Sequence, residues 1–134
     1  METIIVTGCR DAGKTTIVNE VYNRLKEFGA KELDGYNVEQ VGYNERDFKC
    51  IVEFGRIKVA FFSMGDEVSP VCEALKTYSE LSCDFAVIAN RNFKSIKNAA
   101  KKYSTNVYDK DVSSSMAINN IAHDIVNILQ RFRQ

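Results

Sequence analysis

The sequence lacks an excess of charge of either sign. Its 134 residues include 18 Lys and Arg and 18 Asp and Glu, so the formal net charge at pH 7 is zero. Such a balance provides no overall field that would attract nucleic acid or a membrane surface. No signal-like N-terminal region is evident, and no apolar run approaches the ~20 residues of a membrane span. We therefore expect a cytoplasmic globular protein with one domain over residues 1–134.

The sequence also lacks paired cysteines and a histidine cluster. Its four cysteines are widely spaced and form no C-x-x-C motif: Cys9, Cys50, Cys72 and Cys83. This spacing favours reduced thiols over disulfides or a zinc site. The single histidine, His123, has no partner motif and is interpreted as structural. No internal repeat, low-complexity segment or linker is present, which agrees with the expectation of a single domain.

A glycine-rich segment near the N-terminus is the strongest functional signal in the chain. It reads Gly8, Cys9, Arg10, Asp11, Ala12, Gly13, Lys14, Thr15, Thr16. A β-branched run, Thr3–Thr7, precedes it, and apolar residues at helical spacing follow it, ending before Gly29. The sequence thus predicts a strand, a tight loop and a helix over residues 14–28. This is the context that a G-x-x-x-x-G-K-[ST] phosphate loop requires.

The chemistry of such a loop follows from its residue types. Glycines allow successive backbone N–H groups to point at an oligophosphate, and the dipole of the following helix adds positive potential. Lys14 would reach the β- and γ-phosphates, and the Thr15 hydroxyl would complete the shell of a bound Mg²⁺. We predict nucleotide contacts from the whole segment, Gly8 to Thr16. The alternative is a glycine turn that merely begins a helix.

The rest of the chain alternates strand and helix patterns. Ala30 to Asp47 is polar and is interpreted as a short strand or loop leading to an exposed connection. Two strands joined at Gly55-Arg56 form a predicted hairpin, the first at the sheet edge and the second central. The other predicted elements are a helix from Ser69 and Pro70, a strand over 84–89, a helix over 93–103, a strand over 105–108 and a terminal helix beginning at Ser113–Ser115.

This order predicts an α/β fold in three layers, α/β/α. We expect a mainly parallel sheet of five or six strands, one antiparallel hairpin strand at its edge and right-handed crossovers. The chain resembles the phosphate-loop NTPase superfamily, on the motif Gly8–Thr15 and on the order of strands and helices over most of its length. The order is similar both to small GTPases and to compact nucleotide-kinase-like proteins. The resemblance implies a ligand where the ends after Thr7, Ser63 and Ala89 converge.

The segment after Ser63 is the expected position of a second magnesium contact. Members of the superfamily usually carry Asp at the end of this strand, whereas here the first carboxylate, Asp66, comes three residues later. We predict that Asp66 joins Thr15 in holding the metal, with Ser63 able to hold a metal-bound water. The alternative is that Asp66 and Glu67 stabilise the N-terminus of the next helix through its dipole.

The segment after Ala89 bears on the choice of base. GTPases carry N-K-x-D there, and the corresponding residues are Asn90, Arg91, Asn92 and Phe93. Asn90 fits and is predicted to contact the nucleotide, but the Phe93 ring cannot accept the hydrogen bonds that the missing Asp accepts from guanine. The departure favours ATP over GTP. Arg91 would stack on the base or stabilise charge on the transferred phosphoryl group, or else be a solvated loop residue.

Two functional hypotheses follow. The first is a Mg²⁺-dependent phosphoryl-transfer enzyme that uses ATP, either a kinase for a small molecule or a hydrolase, with Lys14, Asp66 and Arg91 as catalytic residues. The second is a nucleotide-dependent switch that acts through a protein partner. Arg10 and Arg46 are further phosphate candidates. A kinase would bind its acceptor near the charged residues Asp34, Glu39, Glu45, Arg46 and Asp47, whereas the lysines at 94, 97, 101 and 102 indicate a solvated surface rather than a nucleic-acid site.

Overall fold

The computed structural model describes residues 1–8, 13–41, 46–63, 69–90, 93–112 and 118–133. Within these residues the chain forms seven strands and four helices. In chain order they are β1 (Glu2–Thr7), α1 (Lys14–Glu27), β2 (Lys31–Glu32), β3 (Glu39–Gln40), β4 (Phe48–Phe54), β5 (Ile57–Ser63), α2 (Ser69–Glu80), β6 (Phe85–Ala89), α3 (Phe93–Ala100), β7 (Asn106–Asp111) and α4 (Ile118–Phe132).

The described strands form one mixed sheet. Their order is β2-β4-β5-β6-β1-β7, and β3 also pairs with β4. The pairs β5–β6, β6–β1 and β1–β7 are parallel, whereas β4 is antiparallel to β2, β3 and β5. The expected α/β class is confirmed. The expectation of a mainly parallel sheet with five or six strands is wrong, because the polar segment after α1 contributes two short strands antiparallel to β4.

The predicted position of β4 at the sheet edge is also wrong. Its outer side is covered by β2, where Lys31 lies opposite Glu53, and by β3, where Glu39 lies opposite Lys49. The Lys49 ammonium lies 3.7 Å from a Glu39 carboxylate oxygen. Opposite charges facing each other across strands stabilise a pairing. The charged positions of β4 thus match charges on the two short strands beside it.

Helices cover both faces of the sheet, as expected for three layers. Alternate strand residues point to opposite faces, and they separate into two apolar clusters. Ile4 and Val6 pack with residues of α1 and α4, while Ile5 packs with residues of α2 and α3. All five residues of β6 are buried, because this strand lies inside the sheet with helices over both faces.

The helix boundaries follow the local signals closely. After α1, Gly29 has a φ of +98°, and the Gly29 and Phe28 N–H groups donate to carbonyls of the last turn. This is the left-handed ending that glycine permits. Helix α3 ends at Ala100, three residues before its predicted end, and β7 continues to Asp111, three residues beyond the predicted strand. The predicted start of the last helix, Ser113–Ser115, lies outside the described residues.

Candidate phosphate and magnesium site

The glycine-rich segment joins the carboxyl end of β1 to the N-terminus of α1. Gly8 and Gly13, at its two ends, have φ values of +153° and +97°. A Cβ atom at Gly13 would lie 2.8 Å from the Ile118 Cδ1 atom at the start of α4, so both conformation and space favour glycine. Gly13 is the N-cap residue of α1 and supplies no side-chain cap. An uncapped helix N-terminus presents N–H groups that can bind an anion.

Lys14 occupies the first position of α1 and is only 7% exposed. Its ammonium donates a hydrogen bond to the Gly8 carbonyl oxygen over 3.1 Å. Burying a lysine is costly unless its charge has partners. The Gly8 carbonyl is one such partner, and the bond to it holds the ammonium beside Gly8. The cation therefore lies at the end of β1, where the motif predicts the phosphates.

Thr15, Asp47 and Ser63 form a hydrogen-bonded cluster, which we call the Thr15 cluster. The Thr15 hydroxyl donates to Asp47 Oδ1 over 3.0 Å, and the Ser63 hydroxyl donates to the same oxygen over 3.4 Å. The Phe48 N–H donates to Ser63 Oγ over 3.1 Å. Asp47 is 8% exposed. The cluster joins α1, the start of β4 and the end of β5 through one buried carboxylate.

Arg46 connects the same segment to the first turn of α1. Its guanidinium donates to Thr16 Oγ1 over 2.6 Å. The Asn19 amide donates to the Thr15 carbonyl over 2.9 Å and to the Arg46 carbonyl over 3.2 Å. Three side chains therefore hold residues 46 and 47 against the helix that follows the glycine-rich segment.

The ends of three parallel strands meet beside this segment. Thr7 ends β1, Ser63 ends β5, and Asn90 directly follows β6, the strand between them. Asn90 is fully buried, and its N–H donates to the Val6 carbonyl over 3.1 Å. The convergence expected for these strand ends is thus present. The loops after β1 and β6 lead to helices on opposite faces of the sheet, which is the arrangement at which α/β sheets bind ligands.

Several predicted site residues lie outside the described residues. They are Cys9, Arg10, Asp11, Ala12, Glu45, Asp66, Glu67, Arg91 and Asn92. The structure does bring Lys14, Thr15, Thr16 and Arg46 together at the start of α1. Asp34 and Glu39 lie instead along the β2–β3 segment, and His123 is exposed on α4.

Sequence comparison does not assign this chain to a family. No family model matches it, and neither the curated proteins nor the solved structures give a match. Among the described residues no helix has the length and apolar character needed to cross a membrane. What the chain binds must therefore be inferred from its own residues.

The donor set of the Thr15 cluster suits magnesium. Mg²⁺ prefers oxygen ligands and in phosphate sites is held by one or two carboxylates, waters and the phosphates themselves. The Thr15 hydroxyl and the Asp47 carboxylate provide two such oxygens within 3.0 Å of each other. Within the part of the chain that the structure describes, no group of three or more His, Cys, Asp or Glu is arranged to hold a metal alone. The residues thus fit a cation that arrives with a phosphate ligand.

Sequence reasoning named Asp47 as an acceptor-site candidate and missed its position beside Thr15. The two residues are brought together by the packing of α1 against β4 and β5, a tertiary contact that no local pattern encodes. Asp109 was also missed: it accepts a hydrogen bond of 2.9 Å from the Thr7 hydroxyl at the end of β1. The signal that could have found Asp47 is its position directly before β4, because the hairpin partner of β4, the strand β5, ends at Ser63.

Two of the described thiols, those of Cys50 and Cys83, are poor candidates for nucleophiles. Burial raises the pKa of Cys83 to about 11 and that of Cys50 to about 12. The thiolate is the reactive form of cysteine, so both groups are almost entirely protonated at neutral pH. Neither side chain belongs to the Thr15 cluster, and the chemistry of this site rests on oxygen atoms and cations.

Proposed function

We propose that this chain is a phosphate-loop protein that binds ATP with Mg²⁺ at Gly8–Thr16. The observation that carries the proposal is the position of Lys14 and Thr15 in the first turn of α1. Their side chains reach Gly8 and Asp47 at the converging ends of β1 and β5. Lys14 would bind the phosphates, and Thr15 would hold the metal. The resemblance to phosphate-loop NTPases supports the same assignment.

In this proposal Asp47 takes part in metal binding together with the predicted Asp66. Its carboxylate lies beside the Thr15 hydroxyl, so it would hold Mg²⁺ directly or through a water. Bound Mg²⁺ supplies charge neutralisation at the phosphates. Asn90 and Arg91 remain the predicted contacts at the base or the transferred group, and the absence of N-K-x-D favours adenine.

The proposed activity is Mg²⁺-dependent phosphoryl transfer, to a small molecule as in a kinase or to water as in a hydrolase. Such chemistry depends mostly on positioning and on charge stabilisation, which Lys14, the metal and helix N–H groups can supply. A protein nucleophile is not required. The catalytic residues in this proposal are Lys14, Asp66 and Arg91.

A second candidate function is a nucleotide-dependent switch with a protein partner. The observation that favours it is the attachment of residues 46 and 47 to α1 through Thr15, Thr16 and Asn19. A metal that takes the Thr15 hydroxyl as a ligand changes this hydrogen-bonding pattern. Residues 46 and 47, which precede β4, would then change their contacts with α1, as loops do that a bound nucleotide orders.

A thermal-shift panel tests nucleotide binding. ATP, GTP, dATP and the corresponding diphosphates are added with and without Mg²⁺, and Lys14→Ala is compared with Lys26→Ala, which removes an exposed lysine from the same helix. Ligand at 100 times its Kd stabilises a protein by about 2.7 kcal/mol. We expect this increment with ATP and Mg²⁺ in the unmodified chain and in Lys26→Ala, and its loss in Lys14→Ala. An equal increment in Lys14→Ala would refute the phosphate-loop assignment.

Two further measurements separate the roles within this proposal. Asp47→Asn should remove most of the additional stabilisation that Mg²⁺ gives to bound ATP, while ATP alone still binds. Release of inorganic phosphate, with and without candidate acceptors, distinguishes the enzyme from the switch. Binding without turnover in every condition would exclude the enzyme and leave the switch.

A further inference from the structure

A cavity of about 510 Å³ lies on the other face of the sheet from the Thr15 cluster. It is bounded by α2, by β4 and by the segment over residues 35–41. Phe62 lines it, whereas Ser63, the next residue of β5, belongs to the cluster on the opposite face. The cavity is thus separate from the proposed nucleotide site, and its volume lies in the range of pockets that bind small molecules.

The described lining of this cavity is apolar at its base and polar around it. Ile51 and Phe62 of the sheet and Tyr78 of α2 line the base and are at most 5% exposed, whereas the Tyr36 ring on the third side is 38% exposed. The Tyr78 hydroxyl donates to the Phe61 carbonyl over 3.2 Å, so its polar atom is already paired. The Tyr36 ring is the aromatic surface open to a ligand, and it suits a flat ring because offset and edge-to-face contacts add to the burial of apolar area.

Among the described residues that line the cavity, the charged ones carry a net negative charge. Lys49 pairs with Glu39, with 3.7 Å between the ammonium and the carboxylate oxygen. Glu73, an exposed residue of α2, is a second carboxylate on the lining. One cation against two anions disfavours a phosphate or carboxylate ligand and favours a ligand with a positive or zero charge.

We propose that this cavity binds a flat aromatic small molecule that is uncharged or carries one positive charge. The proposal goes beyond nucleotide binding and does not depend on it. Tyr36 and the partly exposed Ala74 supply the apolar contacts, and Glu73 supplies the preference for charge. An anionic aromatic compound of the same size should bind more weakly.

Three probes that share one ring test this proposal: tryptamine, indole and indole-3-acetate. Each is titrated into the ¹⁵N-labelled chain, and amide shifts are followed at Ile51 and Ala74. We expect saturable shifts with tryptamine and indole, and about fivefold weaker binding of indole-3-acetate than of tryptamine, the effect of a charge contact near 1 kcal/mol in water. No saturable shift at these residues with any probe would overturn the proposal.

Matched variants identify the groups responsible. Ala74→Phe fills the cavity and should abolish binding of all three probes. Glu73→Lys should reverse the order of tryptamine and indole-3-acetate, whereas Glu80→Lys, the same change on an exposed residue of α2 outside the lining, should keep it. An unchanged order in Glu73→Lys would contradict the assignment of charge preference. Lys14→Ala should bind the probes normally, so failure at the nucleotide site and failure at this cavity are distinguishable.

Discussion

Replacement of Gly13 by alanine should destabilise the chain more than the same replacement at Gly29. The two glycines have nearly equal φ values, +97° and +98°, in the region that L-residues rarely adopt. Their surroundings differ. A Cβ at Gly13 would lie 2.8 Å from Ile118 Cδ1, whereas a Cβ at Gly29 meets nothing within 4 Å. The comparison therefore separates backbone strain from steric overlap.

The magnitudes follow from these two contributions. A non-glycine residue in the left-handed region costs about 1–2 kcal/mol, and alanine returns about 0.4–1 kcal/mol by restricting the unfolded chain. Gly29→Ala should thus cost about 1 kcal/mol. The atom in the way is the end of the flexible, partly buried Ile118 side chain. Moving that side chain off its rotamer costs about 0.5–1.5 kcal/mol, so Gly13→Ala should cost about 1.5–2.5 kcal/mol.

Urea denaturation of four chains measures both contributions: Gly13→Ala, Gly29→Ala, Ile118→Val and the double variant Gly13→Ala with Ile118→Val. The valine removes the Cδ1 atom at the short distance, so the double variant should recover about 1 kcal/mol relative to the sum of the single costs. Equal costs at Gly13 and Gly29, with no coupling to Ile118, would refute the reasoning. ATP-induced stabilisation should fall in Gly13→Ala and stay unchanged in Gly29→Ala.

Three further outcomes are expected. Ser82 lies two residues after α2 and has a φ of +60°, so Ser82→Gly should raise the free energy of unfolding by about 0.5–1 kcal/mol in urea denaturation, and a loss would contradict the strain argument. The Tyr22 hydroxyl donates 2.8 Å to Glu32 Oε1 and lowers the pKa of that carboxyl. The stabilisation linked to this pKa is present at neutral pH and is lost as the pH falls through the lowered pKa. Tyr22→Phe should therefore reduce stability at pH 7 more than at pH 2–3, and equal losses would exclude the linkage. Burial raises the pKa of Cys83 to about 11, so iodoacetamide at pH 8 should modify the half-buried Cys72 before Cys83, as peptide mapping can show; faster modification of Cys83 would contradict its burial.

Local signals predicted the helices well. Gly29 marked the end of α1, Pro70 lies in the first turn of α2 as expected, and Val71 and Leu75 form the buried face of that helix. Such signals act within one or two turns, so they can be read from neighbouring residues. The α/β class followed from them, because strands alternated with these helices.

The two short strands beside β4 could not be predicted in the same way. Lys31-Glu32 and Glu39-Gln40 are polar pairs with no alternation, and each is too short for a periodic pattern. Their pairing partners, Glu53 and Lys49, suggested a solvent-facing edge when β4 was read alone. Only the charge complementarity across the strands reveals the pairing, and it depends on a register that the sequence leaves open.

The candidate site likewise contains residues that a local motif predicted and residues whose position depends on tertiary contacts. Lys14 and Thr15 were predicted because the loop motif is local, and the structure places them in the first turn of α1. The pairing of β4 with β5 was predicted as a hairpin, but the position of Asp47 beside Thr15 depends on the contact between β4 and α1, which is tertiary. Asp66 and Arg91 lie outside the described residues and stay predictions.

The position of β1 in the sheet constrains when the proposed nucleotide site can form during synthesis. Among the described strands, β1 pairs with β6, as in Glu2 with Phe85, and with β7, as in Glu2 with Asn106. The ribosome must therefore make most of the chain before β1 can pair with β6 or β7. Contacts between residues so distant in sequence also form slowly. The glycine-rich segment is synthesised early, but the strands that pair with β1 are synthesised late. Nascent chains shorter than about 90 residues should then not retain nucleotide.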